Sequence, residues 1–410
     1  MATPSRFRPE LEGLRGLAVA LVVAAHAGLP IPGAAIGPDI FFVLSGYLIT
    51  GILLRRLEAG EGIGLAHFYA RRFRRILPAV AATVLLTVGA VSLVGDPYLL
   101  ATTAGDGAAA LAGIANLHFA LTATDYFAPG TPSPLLPLWS IGVEEQFYLV
   151  APLLVAGAFA VRRRLGVGLL MTLLVVSSTL AAFIMSRSDP VWAYYLLPTR
   201  AYGLAVGGLL AIVEPSIVKR RLPLAVVGLA GLAALVLVAP QGSGYPGLIG
   251  PAAALASFVL IAGLAKSRLR HLFTLPPVRF VGRVSYSLYL LHFPFLVLPP
   301  LFGVAMDLAA TLLAVGGAVA SAGLLYVLVE RPFRDGLFFG ATPRRVLPRA
   351  GGVLAAGLLL MGGITGSLTP ASASVVESEP LPPPVAIESP APDPSAAGEE
   401  TPWTPIVLGG

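Results

Sequence analysis

The chain has 410 residues, a mean hydropathy of +0.84, 56% apolar residues and only 12% charged ones. That is about half the charged fraction of soluble proteins, too little to cover a water-soluble domain of this size or to keep a chain disordered, so the class is a polytopic membrane protein. The absence of cysteine excludes disulfides, iron–sulfur clusters and thiolate metal sites, while the formal charge of +6 alone would leave nucleic acid as a partner.

The hydropathy pattern predicts an all-α bundle of about 11 transmembrane helices. The apolar segments are 12–29, 36–54, 79–95, 140–161, 165–185, 191–213, 223–239, 246–265, 283–300, 308–329 and 351–368. The first is of full spanning length and lacks a clear cleavage site, so it reads as an anchor and not a signal peptide. The segment 96–138 is longer than a connector needs. Its apolar stretch around Ala108 to Phe119 predicts an interfacial or re-entrant helix.

Basic residues orient the chain, because cytoplasmic loops retain them. With the N-terminus inside, all 27 lysines and arginines except Arg187 and Arg200 fall on the cytoplasmic side, and 96–138 carries none. The basic charge is thus topological, and nucleic acid binding drops out. Two regions result: a membrane domain over 1–368, and a tail over 369–410 rich in proline and acidic residues. The tail is expected to be a disordered extracytoplasmic linker. No internal repeat supports a transporter fold.

Ionisable residues inside spans are costly and are candidates for function. Arg15 and His26 are 11 residues apart, which puts them on one helical face about 16 Å apart along the axis. His26 reads equally as a packed, hydrogen-bonded histidine, and Arg15 as a positive-inside anchor. Four arginines, Arg71, Arg72, Arg74 and Arg75, precede the third span. They are either a topological signal or a phosphate clamp, with Arg72 and Arg75 on one face. Glu144 and Glu145 follow Trp139-Ser140 at the outer end of the fourth span and point about 100° apart, so one of them faces a given site. Ser285, Tyr289 and His292 recur at i, i+4 and i+7, a polar stripe that predicts a cavity. Glu330-Arg331 reads as a local ion pair.

At these residues the chain resembles the bacterial membrane acyltransferase 3 family, which includes O-antigen and peptidoglycan O-acetylases. The resemblance spans about 6–340. Arg15 and His26 match the family's arginine, ten residues, histidine motif. The run from Gly37 to Thr50 matches its second-span motif, and Arg72 with Arg75 matches its arginine pair. Trp139-Ser140 with Glu144 to Tyr148, and Ser285 to His292, match two later motifs. Pro137 stands where many members have a histidine. Some members continue after an eleventh span and a linker into an external SGNH hydrolase-like domain. Here Trp403 to Gly410 looks like the start of its first strand, but no Gly-Asp-Ser follows, so that domain is expected to be absent.

The resemblance implies a multi-pass enzyme of the bacterial cytoplasmic membrane, with its N-terminus inside and its C-terminus outside. It would move an acyl group from cytosolic acyl-CoA, acetyl-CoA first, to a hydroxyl of an extracytoplasmic glycan or glycolipid, without a metal. His26 would be the general base, with Glu144 or Glu145 holding its other ring nitrogen. Arg15, Arg72 and Arg75 would bind the CoA end. Asp39, Trp139, Ser140, Tyr289 and His292, all within the matching motifs, are expected to line the substrate site. The rival reading is a transporter or flippase for a small acid or lipid-linked sugar, which would use the same polar residues as a binding site.

Overall fold

A computed structural model describes residues 8–128, 132–213, 222–239, 245–264 and 267–368. The tail over 369–410 and the basic residues Arg6, Lys219, Arg220, Arg221 and Lys266 lie outside the described residues. Among the described residues the chain forms fifteen α-helices and no strand.

Helices α1 (Pro9–His26), α2 (Gly37–Glu58) and α3 (Leu65–Ser92) follow one another through short connections. Helices α4 (Pro97–Leu111) and α5 (Ala115–Leu121) occupy the segment where an interfacial helix was expected, so that segment contains two helices. Asp96 caps α4 by accepting from the Tyr98 and Leu99 amides, with Pro97 in the first turn where no amide is needed. Then come α6 (Trp139–Ser188), α7 (Pro190–Tyr195), α8 (Leu197–Val213), α9 (Leu222–Val238), α10 (Ile249–Leu264), α11 (Arg270–Phe273) and α12 (Pro276–Leu301). Helix α13 (Leu308–Leu325) runs into a π-helical segment, Tyr326–Glu330, before α14 (Arg331–Arg334) and α15 (Pro343–Leu368).

Among the described residues seven helical segments, α1 not among them, are long and apolar enough to cross a membrane, against the 11 spans expected, and α9 and α10 are shorter apolar helices. The outward side chains match that setting: Leu86, Leu173 and Leu313 are exposed. Every expected apolar segment falls on a helix, with two differences. Helix α3 starts at Leu65, 14 residues before the expected 79, so the arginine cluster is helical and Pro78 lies inside the helix. The alanine-, leucine- and arginine-rich sequence favours this, and proline is tolerated inside membrane helices. The two segments expected at 140–161 and 165–185 form one continuous assignment, but it reverses at Arg162 and Arg163, the latter at φ 51° and ψ −137°. Gly166 sits against the Ala158 carbonyl. In a straight helix these residues would be about 12 Å apart, so α6 is a hairpin of two limbs.

The pairing of helices gives their relative directions. Helix α1 runs parallel to α12: Gly16 lies on Gly282, Gly282 on the Glu12 carbonyl, and His26 meets His292 farther along both, while Gly13 lies on the Phe273 carbonyl of α11. Helix α2 runs parallel to α8: Asp39 meets Tyr202, Gly46 lies on the Leu204 carbonyl, and Gly51 lies against Ala211. The second limb of α6 runs antiparallel to α8, where Ser178 meets the Tyr202 amide and Met171 meets Gly208. These directions agree with the alternation predicted from the basic residues. Small residues allow the backbones to approach this closely, which is how helices gain packing where lipid removes the hydrophobic drive.

The α1–α12 contact gives a testable consequence. A side chain at Gly282 would overlap the backbone of α1, so Gly282→Val is expected to lower the thermal unfolding temperature in detergent, with an overpacking cost of about 1–3 kcal/mol or more. Gly89→Ala in α3, where nothing lies within 4 Å, is expected to be neutral or slightly stabilising. Equal effects of the two substitutions would show that the close contact is not what holds α1 in place.

Candidate active site

Parallel packing of α1 on α12 aligns two polar stripes. At one level the Arg15 Nε donates to Ser285 Oγ at 3.3 Å, and its guanidinium lies over Phe41. At the other end of α1, His26 stacks on His292 with ring centroids 5.0 Å apart. His26 Nδ1 is 2.8 Å from His292 Nε2, and His26 Nε2 is 2.6 Å from the hydroxyl of Tyr126.

The proton positions in this chain are assigned from its fixed end. His292 Nδ1 faces the Tyr289 carbonyl at 2.8 Å and that of Leu288 at 3.1 Å. Carbonyls only accept, so Nδ1 carries the proton and Nε2 of neutral His292 is an acceptor. His26 Nδ1 therefore donates to it. The lone pair of His26 is then on Nε2, and the Tyr126 hydroxyl donates there. Burial pushes the Tyr126 phenol, in the loop before α6, up to about 12, so it keeps its proton at physiological pH.

Below the histidines lies a small chamber of about 60 Å³. Arg15, Arg72, Arg75, Ser45, Glu144, Tyr148, Ser140, Ser285 and Tyr289 are in its wall. Glu144 accepts from Ser45 Oγ at 2.7 Å and from the Tyr148 hydroxyl, one turn on, at 2.8 Å. The Arg72 guanidinium lies over the rings of Phe68 and Tyr148, and its Nε is buried without a hydrogen-bond partner. Tyr289 donates to the Pro137 carbonyl at 2.7 Å, so Ser140 Oγ is the donor in the 2.7 Å bond it shares with the Tyr289 hydroxyl. Tyr289 stands between the chamber and His292, whose ring centroid is 5.7 Å away.

The chamber continues into a vestibule of about 810 Å³, and the two share Arg15, Leu48 and Arg75. Arg8, Arg55, Arg164, Arg283 and Arg334 also line the vestibule, facing Glu12, Glu58 and Glu330. Glu330 sits in the π-helical segment, a common mark of a functional site. It accepts from Ser287 at 2.8 Å and lies 3.8 Å from Arg334. The local pair expected between Glu330 and Arg331 is not formed; Arg331 pairs with Asp335.

The structure thus brings together Arg15, Arg72, Arg75, Glu144, Ser140 and Tyr289 around the chamber, with His26 and His292 beyond Tyr289. Three placements differ from expectation. The ring nitrogen expected to meet Glu144 or Glu145 meets His292, because Ser45 and Tyr148 hold Glu144 among the arginines. Glu145 points elsewhere, against Gly113. Trp139 is fully buried, packed on Phe42, Tyr194 and Tyr195, and does not line the chamber. Asp39 is also sealed away: it accepts from Tyr202 at 2.6 Å and from Tyr245, and lies 3.7 Å from the fully buried Arg200. Tyr126 carried no periodic signal, because it lies in an irregular loop 100 residues from His26. Tyr148 had one, its place four residues after Glu144.

Comparison with known proteins places these residues in context. The acyltransferase domain family matches residues 8–329. The chain is 35% identical to the peptidoglycan O-acetyltransferase OatA of Listeria monocytogenes, over 81% of this chain and 57% of that protein. It is 33% identical to the putative peptidoglycan O-acetyltransferase YrhL of Bacillus subtilis, over 80% and 55%. It is 31% identical to the O-acetyltransferase OatA of Staphylococcus aureus, over 71% and 51%. The chain spans about half the length of these curated relatives. No solved structure matches it.

The geometry separates a structural role for Asp39 from a substrate contact. Removing it leaves Arg200 charged and buried, so Asp39→Ala is expected to destabilise the fold by about 3–5 kcal/mol, read as early thermal unfolding in detergent. A well-folded Asp39→Ala protein whose only defect is weak substrate binding would return Asp39 to the site.

Proposed function

The chain belongs to the acyltransferase domain family, and on that premise we propose that it moves an acetyl group across the membrane. The donor in this reading is cytosolic acyl-CoA, and the acceptor is a hydroxyl of an extracytoplasmic glycan, peptidoglycan or its lipid-linked form first. The observation that carries the reading is the continuous polar line through an apolar bundle. It runs from an arginine-rich vestibule through the chamber and Tyr289 to the histidine pair and Tyr126. The concentration of arginines at the vestibule end supports a cytoplasmic position for it.

The chemistry follows from the proton assignment. A hydroxyl is a poor nucleophile until a base takes its proton in the transition state. The base is His26 Nε2, and the acceptor hydroxyl takes the place that Tyr126 occupies here. As the hydroxyl oxygen attacks the thioester carbonyl, its proton passes to His26. The carbon–sulfur bond then breaks, and the thiolate leaves with that proton. His26 Nδ1–H points at the lone pair of His292, so the charge that forms on His26 is shared with His292, itself held by backbone carbonyls. His292 thus has the orienting role that a carboxylate fills in hydrolase triads. Arg15, Arg72 and Arg75 hold the arm of the donor in the chamber, from which the thioester reaches past Tyr289 to His26, with Glu144 fixing the hydrogen-bonding walls.

Purified protein in detergent with acetyl-CoA and a glycan acceptor is expected to release free CoA and acetylate the glycan; a transporter or flippase would do neither. His26→Gln should lose about 10²–10⁴-fold in kcat with little change in donor KM. Arg75→Ala should raise donor KM about ten- to a hundredfold, the worth of a charge-assisted contact. Turnover of folded His26→Gln protein near wild type would remove His26 from the chemistry.

A further inference from the structure

We infer that the vestibule is the seat of a phosphate-bearing nucleotide, with Arg55 and Arg283 as its phosphate contacts; this rests on the acyl-CoA reading above and deepens it. The two cavities differ greatly in size. At about 60 Å³ the chamber has room for a few water molecules or a two-carbon acyl group, not for a nucleotide. At about 810 Å³ the vestibule has that room.

The charges around the vestibule are not balanced. Arg8 pairs with Glu10 at 2.7 Å, Arg164 pairs with Glu58, and Arg334 is near Glu330. Arg55 and Arg283 make no direct hydrogen bond or ion pair among the described residues; Arg55 acts only at longer range on Glu58, which Arg164 already holds. Both are exposed to the cavity they line. Guanidinium groups left unpaired around an aqueous cavity call for an anion, and their planar fork suits phosphate oxygens. As topological anchors they would instead face lipid headgroups outside the bundle.

Helix α2 sets the shape of the ligand. It contributes Ser45 to the chamber and Arg55 to the vestibule, ten residues or about 15 Å apart along the axis. A ligand that joins the two has its phosphates at one end and its reactive acyl group at the other, with a narrow arm between. Acyl-CoA has that form; a small acyl phosphate does not. Arg283 faces Arg55 from α12, two residues before the Ser285 that holds Arg15. Arg72, which lines the chamber and not the vestibule, is left to the thioester end.

The test compares two donors on the full chain in detergent: acetyl-CoA, and S-acetyl-pantetheine, which has the same thioester and arm but no nucleotide. Arg55→Ala and Arg283→Ala should each lower kcat/KM for acetyl-CoA about ten- to a hundredfold relative to that for S-acetyl-pantetheine. Calorimetric binding of free CoA should weaken by the same factor, with partial recovery in Arg55→Lys, which keeps the charge but not the fork. Arg331→Ala, an exposed arginine outside the vestibule, should leave the ratio unchanged. The ratio of donors is independent of how much protein folds. Equal losses with both donors, or unchanged CoA binding, overturn the assignment of these arginines. A wild-type chain that neither binds CoA nor turns over either thioester overturns the donor reading itself, and the inference with it.

Discussion

The close contact between α1 and α12 is what the polar site depends on. Gly16 and Gly282 let the two backbones meet without intervening side chains. Because the helices run parallel, one approach sets two levels at once: Arg15 against Ser285, and His26 against His292. A rotation or slip of α1 would break both. In lipid the alternative for each of these groups is an unsatisfied polar atom in hydrocarbon, so backbone packing and polar pairing reinforce each other.

The buried ionisable residues fall into two kinds. Asp39, Arg200, Tyr202 and Tyr245 satisfy one another in a sealed cluster, and the Arg200 guanidinium is walled by the rings of Trp139, Tyr194 and Tyr245. Such a cluster ties α2 to α8, and the loss of either charge would leave the other stranded. The residues around the chamber are different. Among the described residues Glu144 accepts only from hydroxyls although three arginines share its cavity, and Arg72 and Arg75 have no carboxylate partner within ion-pair distance. Charges held near one another but not paired are costly in a purely structural core. They are what a site needs if a polar ligand is to complete it.

Much of this was legible from the sequence because the bilayer imposes simple rules. Apolar length located the helices, and the basic triplet Arg162 to Arg164 marked the reversal of α6 that a long helix would otherwise hide. The 11-residue spacing placed Arg15 and His26 on one face, and the i, i+4, i+7 spacing did the same for Ser285, Tyr289 and His292. The partners across the bundle were not legible. Periodicity says which residues share a face but not which faces meet. The choice of His292 over a glutamate as the partner of His26 therefore depended on the α1–α12 register, which glycines set. Asp39 looked like a site residue because an acid in a span is conspicuous. Its neutralising partner, Arg200, is 161 positions away and was one of the two basic residues that the topology rule left unexplained.

That exception has a physical lesson for the other arginines. The positive-inside rule accounts for where a basic residue lies along the membrane normal, but not for whether its charge is balanced. Arg200 breaks the rule and is neutralised internally by Asp39. Arg164 obeys the rule and is paired with Glu58 in addition. Arg55 and Arg283 fit the expected pattern too, yet they line a cavity without a direct ion pair among the described residues. A topological signal requires only a charge on the correct side of the membrane, and lipid-facing positions at the helix ends would supply it. Placing that charge on the wall of an internal cavity adds repulsion among neighbouring arginines, which Glu12, Glu58 and Glu330, fewer than the arginines there, offset only in part. A position on a cavity wall, more than the number of basic residues, is therefore what would distinguish a binding arginine from an orienting one in this chain.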